Sequence, residues 1–118
     1  MQRQLMHGKI HRATVTEACI DYPGSITIDQ KLMKGADILP HEKVLIANLT
    51  NGSRIESYAI PGPAGSGVIC LNGGAAKHGK AGDMVIILTF AVMSGKEARK
   101  HKPKVVYVDR KNRIVKKK

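Results

Sequence analysis

Residues 84–92 read Met84-Val85-Ile86-Ile87-Leu88-Thr89-Phe90-Ala91-Val92. The run is apolar over too many consecutive positions for one face to stay wet, so it predicts a central strand buried on both faces. Its neighbours along the chain must then cover it. They read as further short β-prone runs punctuated by Gly, Pro and Asn, at residues 5–15, 25–28, 43–49, 54–60, 67–71 and 104–108. Two stretches carry helix signals instead. Residues 29–36 open on Asp29, a good N-cap, and contain the apolar pair Leu32 and Met33; residues 94–101 open on Ser94, with Glu97 at the capping-box spacing. Many short strands and few helices in a chain of 118 residues favour a small closed or nearly closed barrel, because closure removes exposed edges. No internal repeat, low-complexity linker or composition break divides residues 1–118, which are expected to form one domain.

An apolar fraction of 42% suits one modest core, and with no Trp and a single Phe that core must be built from Ile, Val, Leu, Ala and Met. A protomer this small gains stability by burying more surface in an oligomer. The formal charge of +11 draws anions from small dicarboxylates to nucleic acid. The excess is concentrated at residues 96–104 and 110–118, without the interleaved aromatics that stack on bases, which argues for a solvated tail, flexible over residues 109–118, rather than a nucleic-acid contact. Cys19 and Cys70 lack metal-ligand spacing and follow apolar patterns, so they read as buried reduced thiols. His7, His11 and His78 lack the spacing and carboxylate partners of a metal site, and no metal is expected. The opening residues have no signal-peptide core and no run approaches the ~18 apolar residues of a membrane span, which predicts a soluble cytoplasmic protein.

The chemistry centres on Tyr22-Pro23-Gly24-Ser25, which places a hydroxyl directly after a glycine at the start of a strand. Alone it reads as a turn. Its chemical reading is that Ser25 Oγ attacks the Gly24 carbonyl carbon and moves the acyl group from nitrogen to oxygen; elimination and hydrolysis then leave a pyruvoyl group. Glycine suits position 24 because no Cβ blocks the oxygen and strained torsions are tolerated. Pro23 fixes its own φ and pushes Tyr22 toward an extended conformation, which stiffens the approach.

Further segments join this one along the chain: Gly8-Lys9-Ile10-His11-Arg12, Thr50-Asn51-Gly52-Ser53-Arg54, Ser57-Tyr58-Ala59-Ile60, Leu71-Asn72-Gly73-Gly74-Ala75-Ala76 and Gly82-Asp83-Met84-Val85-Ile86-Ile87. Together, in order over residues 5–107, they resemble the pyruvoyl-dependent aspartate 1-decarboxylase family. The resemblance implies a mainly β chain folded as a small six-stranded double-psi β-barrel with short helices, assembled as a homotetramer with active sites between subunits. It implies a lyase made as a zymogen, which cuts itself between Gly24 and Ser25 into a β chain, residues 1–24, and an α chain, residues 25–118. The implied reaction converts L-aspartate to β-alanine and carbon dioxide, for pantothenate and coenzyme A biosynthesis. The implied cofactor is the pyruvoyl group made from Ser25, which forms a Schiff base with the substrate amine and accepts the electron pair released on decarboxylation, without metal or diffusible cofactor.

On the same footing the resemblance makes Tyr58 the proton donor to the former α-carbon. It gives the substrate contacts to Lys9, Arg54, Ser57, Asn72 and the backbone of Gly73, Gly74 and Ala75, with His11 and Tyr22 in support. Arg54 offers a planar fork for the remaining carboxylate. The Asn72-Gly73-Gly74-Ala75 segment has the composition of a tight turn whose backbone can approach a ligand closely. Strand alternation puts Arg54, Glu56 and Tyr58 on one face and turns Ser57 the other way unless a bulge intervenes. Position 57 departs from the threonine usual in the family, keeping the hydroxyl but losing the rotamer restriction of a β-branched side chain. Gly74 stands where alanine is common. Two rival readings are a basic β-barrel that binds RNA or another polyanion, with strongly salt-dependent affinity, and a decarboxylase acting on glutamate, whose extra methylene is worth only ~1–3 kcal/mol in a pocket.

Overall fold

The computed structural model describes residues 1–116. Among them the order of elements is β1 (Gln2–Thr14), β2 (Glu17–Cys19), β3 (Ser25–Asp29), α1 (Gln30–Gly35), β4 (Lys43–Asn48), β5 (Arg54–Gly62), β6 (Ile69–Asn72), a 3-10 helix (Gly73–His78), β7 (Met84–Ser94), α2 (Gly95–Lys100), β8 (Lys104–Val108) and β9 (Ile114–Val115). The strands form one mixed sheet in the order β2-β6-β3-β5-β4-β7-β1-β8-β9. Pairing is antiparallel except for three parallel pairs, β1 with β8, β2 with β6 and β3 with β5.

The apolar run at residues 84–92 forms most of β7, which is central, with β1 on one side and β4 on the other. The expectation of burial on both faces needs correction. Val85, Ile87 and Thr89 are buried, whereas the alternate face rises from half-buried Ile86 and Leu88 to Phe90 and Val92, which are 42% and 63% exposed. Period-two geometry sends those residues away from the core, and no described residue covers them.

The core is aliphatic, as the composition requires. Ile10, Ile26, Ile28, Leu32, Met33, Val44, Ile46, Ile69, Leu71, Val85 and Ile87 are essentially inaccessible, each worth roughly 1.5–3 kcal/mol of transfer free energy. Leu32 and Met33 plug α1 into it. Asp29 caps that helix by accepting from the Lys31 amide, and also accepts from the Gly65 and Gly67 amides, so a buried carboxylate is fully used. At α2 both halves of the Ser94–Glu97 capping box form. Gly8 has no alternative residue: a Cβ there would collide with the Ala36 carbonyl oxygen, so β1 can pass beneath the end of α1 only as glycine.

Strands β2 and β9 carry too little local signal to be read from sequence. The first is held from outside, by Thr16 exchanging backbone and hydroxyl hydrogen bonds with Ile69. The second belongs to the stretch expected as a flexible tail. There, Asn112 is 2% exposed at φ 60° and ties the chain to Thr14 N, Thr14 O and Gly67 O, while Ile114–Val115 pair with β8. Residues 109–115 are therefore docked on the sheet; Lys117 and Lys118 lie outside the described residues.

Candidate active site

Ser25 is the first residue of β3 and faces Asn72, the last of β6, in antiparallel register; Thr27 faces Cys70 in the same pairing. Alternation puts all four side chains on one face. Asn72 Nδ2 donates to Ser25 Oγ and Thr27 Oγ1, both at 2.9 Å, and the Cys70 thiol donates to Asn72 Oδ1 at 3.2 Å. Ser25 and Asn72 are only 5% and 3% exposed. The Ser25 hydroxyl has the Pro23 carbonyl oxygen as a long acceptor at 3.4 Å. The Ser25 hydroxyl is thus dry, held by one donor and adjacent to the Gly24–Ser25 peptide.

The turn before Ser25 is clamped from the other side. Gly73 opens the 3-10 helix at φ 59°, and a Cβ there would sit 2.7 Å from Gly24 N and Tyr22 O. Backbone lies directly on backbone, a close approach open only to glycine. The anticipated tight turn at Asn72-Gly73-Gly74-Ala75 is thus a 3-10 helix with Gly73 and Ala75 buried. Gly24 has no left-handed φ, and a Cβ on it would meet nothing within 4 Å among the described residues other than its chain neighbours Pro23 and Ser25. The steric demand sits at Gly73. Gly74 is open as well.

On its other edge β3 runs parallel to β5, with Ile26 beside Ala59, which brings Tyr58 to the level of Ser25. The Tyr58 ring is 38% exposed and stacks on His41 with centroids 6.4 Å apart. His41, at φ 71°, is pinned by its amide to Ala59 O, and the Ala59 amide returns to Glu42 O. Glu42 anchors this loop: its carboxylate accepts from the Leu39 amide at 2.9 Å and from Thr89 Oγ1 and His7 Nε2 at 2.6 Å each. Burial pushes the Glu42 carboxyl up, but these donors outweigh it and hold it below the ordinary value.

The register of β5 against β4 is unbroken from Arg54 to Tyr58, so no bulge rescues Ser57, which faces away from Arg54, Glu56 and Tyr58. Arg54 is exposed and lies four residues, about 13 Å, along the strand from Tyr58. Lys9 lies in β1, paired with Leu88 and Val105, four places from β3 in the sheet order. His11, also on β1, sits edge-on to Tyr107 at 5.5 Å, with its Nδ1 buried and without a partner among the described residues. Burial, then Lys9 and Arg12, depress its pKa. Tyr22 is 61% exposed and contributes its carbonyl beneath Gly73. Ser25, Gly24, Asn72, Gly73 and Tyr58 thus lie together on β3, the turn before it and its two neighbouring strands, whereas Lys9 and His11 lie on β1 and Arg54 at the start of β5. Thr27, Cys70 and His41 were not anticipated; period-two spacing from Ser25 and Asn72 pointed to the first two.

The model of the aspartate decarboxylase family matches residues 1–115. The chain belongs to the aspartate decarboxylase family. Curated relatives named aspartate 1-decarboxylase include that of Listeria welshimeri, 58% identical over 97% of this chain and 90% of its own length. Those of Carboxydothermus hydrogenoformans and Dehalococcoides mccartyi are 58% and 55% identical over 95% of this chain and 88% and 90% of their own lengths. The family match spans every residue of the Ser25 site, and also the docked segment through Val115.

Proposed function

We propose that this chain decarboxylates L-aspartate to β-alanine and carbon dioxide, feeding pantothenate synthesis, with a pyruvoyl group made from its own Ser25. The observation that carries the proposal is a buried Ser25 Oγ fixed by Asn72 Nδ2 at 2.9 Å while Gly73 presses on the Tyr22–Gly24 backbone. Ser25 Oγ adds to the Gly24 carbonyl carbon and the Gly24–Ser25 C–N bond breaks, leaving an ester on Oγ and a free amine on Ser25. Loss of the Ser25 α-proton expels Gly24 as a carboxylate; water then replaces the nitrogen, which leaves as ammonia. Residues 1–24 and 25–118 become separate chains.

The site fits the group, because position 25 is dry and already faces an amide donor that suits a carbonyl oxygen as well as a hydroxyl. The pyruvoyl group supplies an electrophilic ketone for the substrate amine and a sink for the electrons released with carbon dioxide. Tyr58, level with residue 25 in the neighbouring strand, returns the proton to carbon. Arg54 and Lys9 hold the carboxylate that remains, and we infer that they do so across the boundary between two copies, since Arg54 lies about 13 Å along β5 from Tyr58. Backbone groups of Gly74 and Ala75, in the 3-10 helix that follows Asn72, are the further proposed substrate contacts.

Assembly as a homotetramer is the proposed source of those residues, supported by the uncovered apolar face at Phe90 and Val92. The six contiguous strands β6-β3-β5-β4-β7-β1, with β3 and β5 paired in parallel, support closure as a double-psi barrel. Two unbonded cysteines fit a reducing compartment, the cytoplasm. No helix among the described residues is long and apolar enough to cross a membrane. Intact-mass measurement of purified protein, followed by β-alanine formation with and without a carbonyl-trapping reagent, tests the proposal. A single uncut chain that still turns over aspartate defeats it.

A further inference from the structure

An asparagine amide has two settings of nearly the same shape, related by a half-turn about its last bond. At Asn72 the choice decides what the Ser25 hydroxyl does. With Nδ2 toward Ser25, both N–H groups are used, on Ser25 Oγ and Thr27 Oγ1, and Oδ1 meets the Cys70 sulfur at 3.2 Å. The opposite setting would turn Oδ1 to the two hydroxyls and point an N–H at sulfur, a weak acceptor. It would also draw the Ser25 proton toward Asn72 and away from Pro23 O. In the observed setting Oγ accepts from Asn72 and turns its own hydrogen toward Pro23 O at 3.4 Å, which leaves its remaining lone pair with a defined direction.

The side chain that separates the two settings is Cys70. It is 5% exposed, sits two residues before Asn72 on the same face, and its other acceptor, the Leu71 carbonyl oxygen, is at 4.0 Å. We propose that Cys70 is a positioning residue for self-processing: its thiol donates to Asn72 Oδ1 and so keeps the Asn72 NH2 aimed at Ser25 Oγ. The inference rests on the reading of Ser25 as the nucleophile of self-cleavage. Burial, with Glu17 and Cys19 nearby, raises the Cys70 pKa, so the sulfur keeps the proton it donates.

The test compares two substitutions of the full chain, Cys70→Ser, which keeps a donor in less volume, and Cys70→Val, which keeps an apolar side chain of similar size without a donor. The half-time of cleavage at Gly24–Ser25 is followed by intact mass on warming freshly purified protein, with thermal midpoints measured alongside. Cys70→Ser is expected to cut within about twofold of the parent, and Cys70→Val roughly three- to tenfold more slowly, the range of one modest hydrogen bond. A role in packing alone reverses that order, because it favours the apolar side chain over a buried hydroxyl. Cys70→Ala carries the same expectation as Val if the branched side chain crowds the strand. Parent-like cleavage in the donor-free variants, or a serine variant as slow as they are, overturns the role of Cys70 while the parent still cuts at Ser25. A parent that never cuts there removes the proposed function as well.

Discussion

Replacing Gly73 by alanine tests the clamp on the scissile turn. The new Cβ would lie 2.7 Å from Gly24 N and Tyr22 O and 2.8 Å from Gly24 Cα, all backbone atoms that cannot rotate aside. Restoring ordinary contact at 3.4 Å requires the two segments to part by about 0.7 Å. Alanine at φ 59° adds about 1–2 kcal/mol of its own. With the contact strain, a loss of about 2–4 kcal/mol is expected, large against the ~5–15 kcal/mol of a typical domain. The same displacement moves the Gly24 carbonyl away from a hydroxyl that stays fixed by Asn72. Since misplacement by about 1 Å costs on the order of a hundredfold in a positioned reaction, cleavage should slow by at least about tenfold. The control is Gly74→Ala, one residue on, where the added Cβ meets nothing within 4 Å and stability should move by less than about 0.5 kcal/mol. Denaturant unfolding of uncut protein and intact-mass time courses read both effects. If Gly73→Ala matches Gly74→Ala in stability and cutting rate, the clamp has no such role.

Other expectations follow from single side chains. Ser25→Ala should leave one intact chain, abolish β-alanine formation and keep a thermal midpoint near that of the parent; two fragments on mass analysis would remove Ser25 from the chemistry. Glu42 has a folded pKa below its unfolded value, so its stabilisation is complete above the ordinary carboxylate range near 4.3 and is lost as pH falls through the lower folded pKa. Thermal midpoints measured from pH 7 to 3 should therefore drop at the acid end, and Glu42→Gln should shrink that drop; an identical acid limb would refute the assignment. Val92→Asp places a charge on a side chain that is 63% exposed in the single chain, and should split the assembly in light-scattering measurements if that face is the interface. An unchanged mass would move the interface elsewhere.

What could be read from sequence was what local chemistry encodes. The apolar run of β7, the Asp29 cap and the Ser94–Glu97 box each state their structure within a few residues. Sequence order did not show what arrives from a distance: β2 exists because Thr16 meets Ile69, and the 109–115 segment is docked because Asn112 reaches Thr14 and Gly67. The site divides similarly. The family-like motifs named Ser25, Tyr58 and Asn72, but not the Cys70 and Thr27 contacts that orient Asn72, nor the His41 ring on Tyr58. The backbone contact that requires glycine at position 73 was likewise invisible in the sequence.

The pairing of β1 has a consequence for a molecule in two pieces. Residues 2–14 are zipped to β7 along nearly their whole length and flanked on the other edge by β8, both from the later part of the chain, and Ile10 and Ala13 are fully buried. Severing the covalent link after Gly24 would leave the leading fragment bound as firmly as any interior strand, so the product is a self-complementing pair that dilution should not pull apart. Asn72 and Gly73 also emerge from synthesis well after Ser25. The proposed cut therefore needs β6 to be made and paired with β3 first.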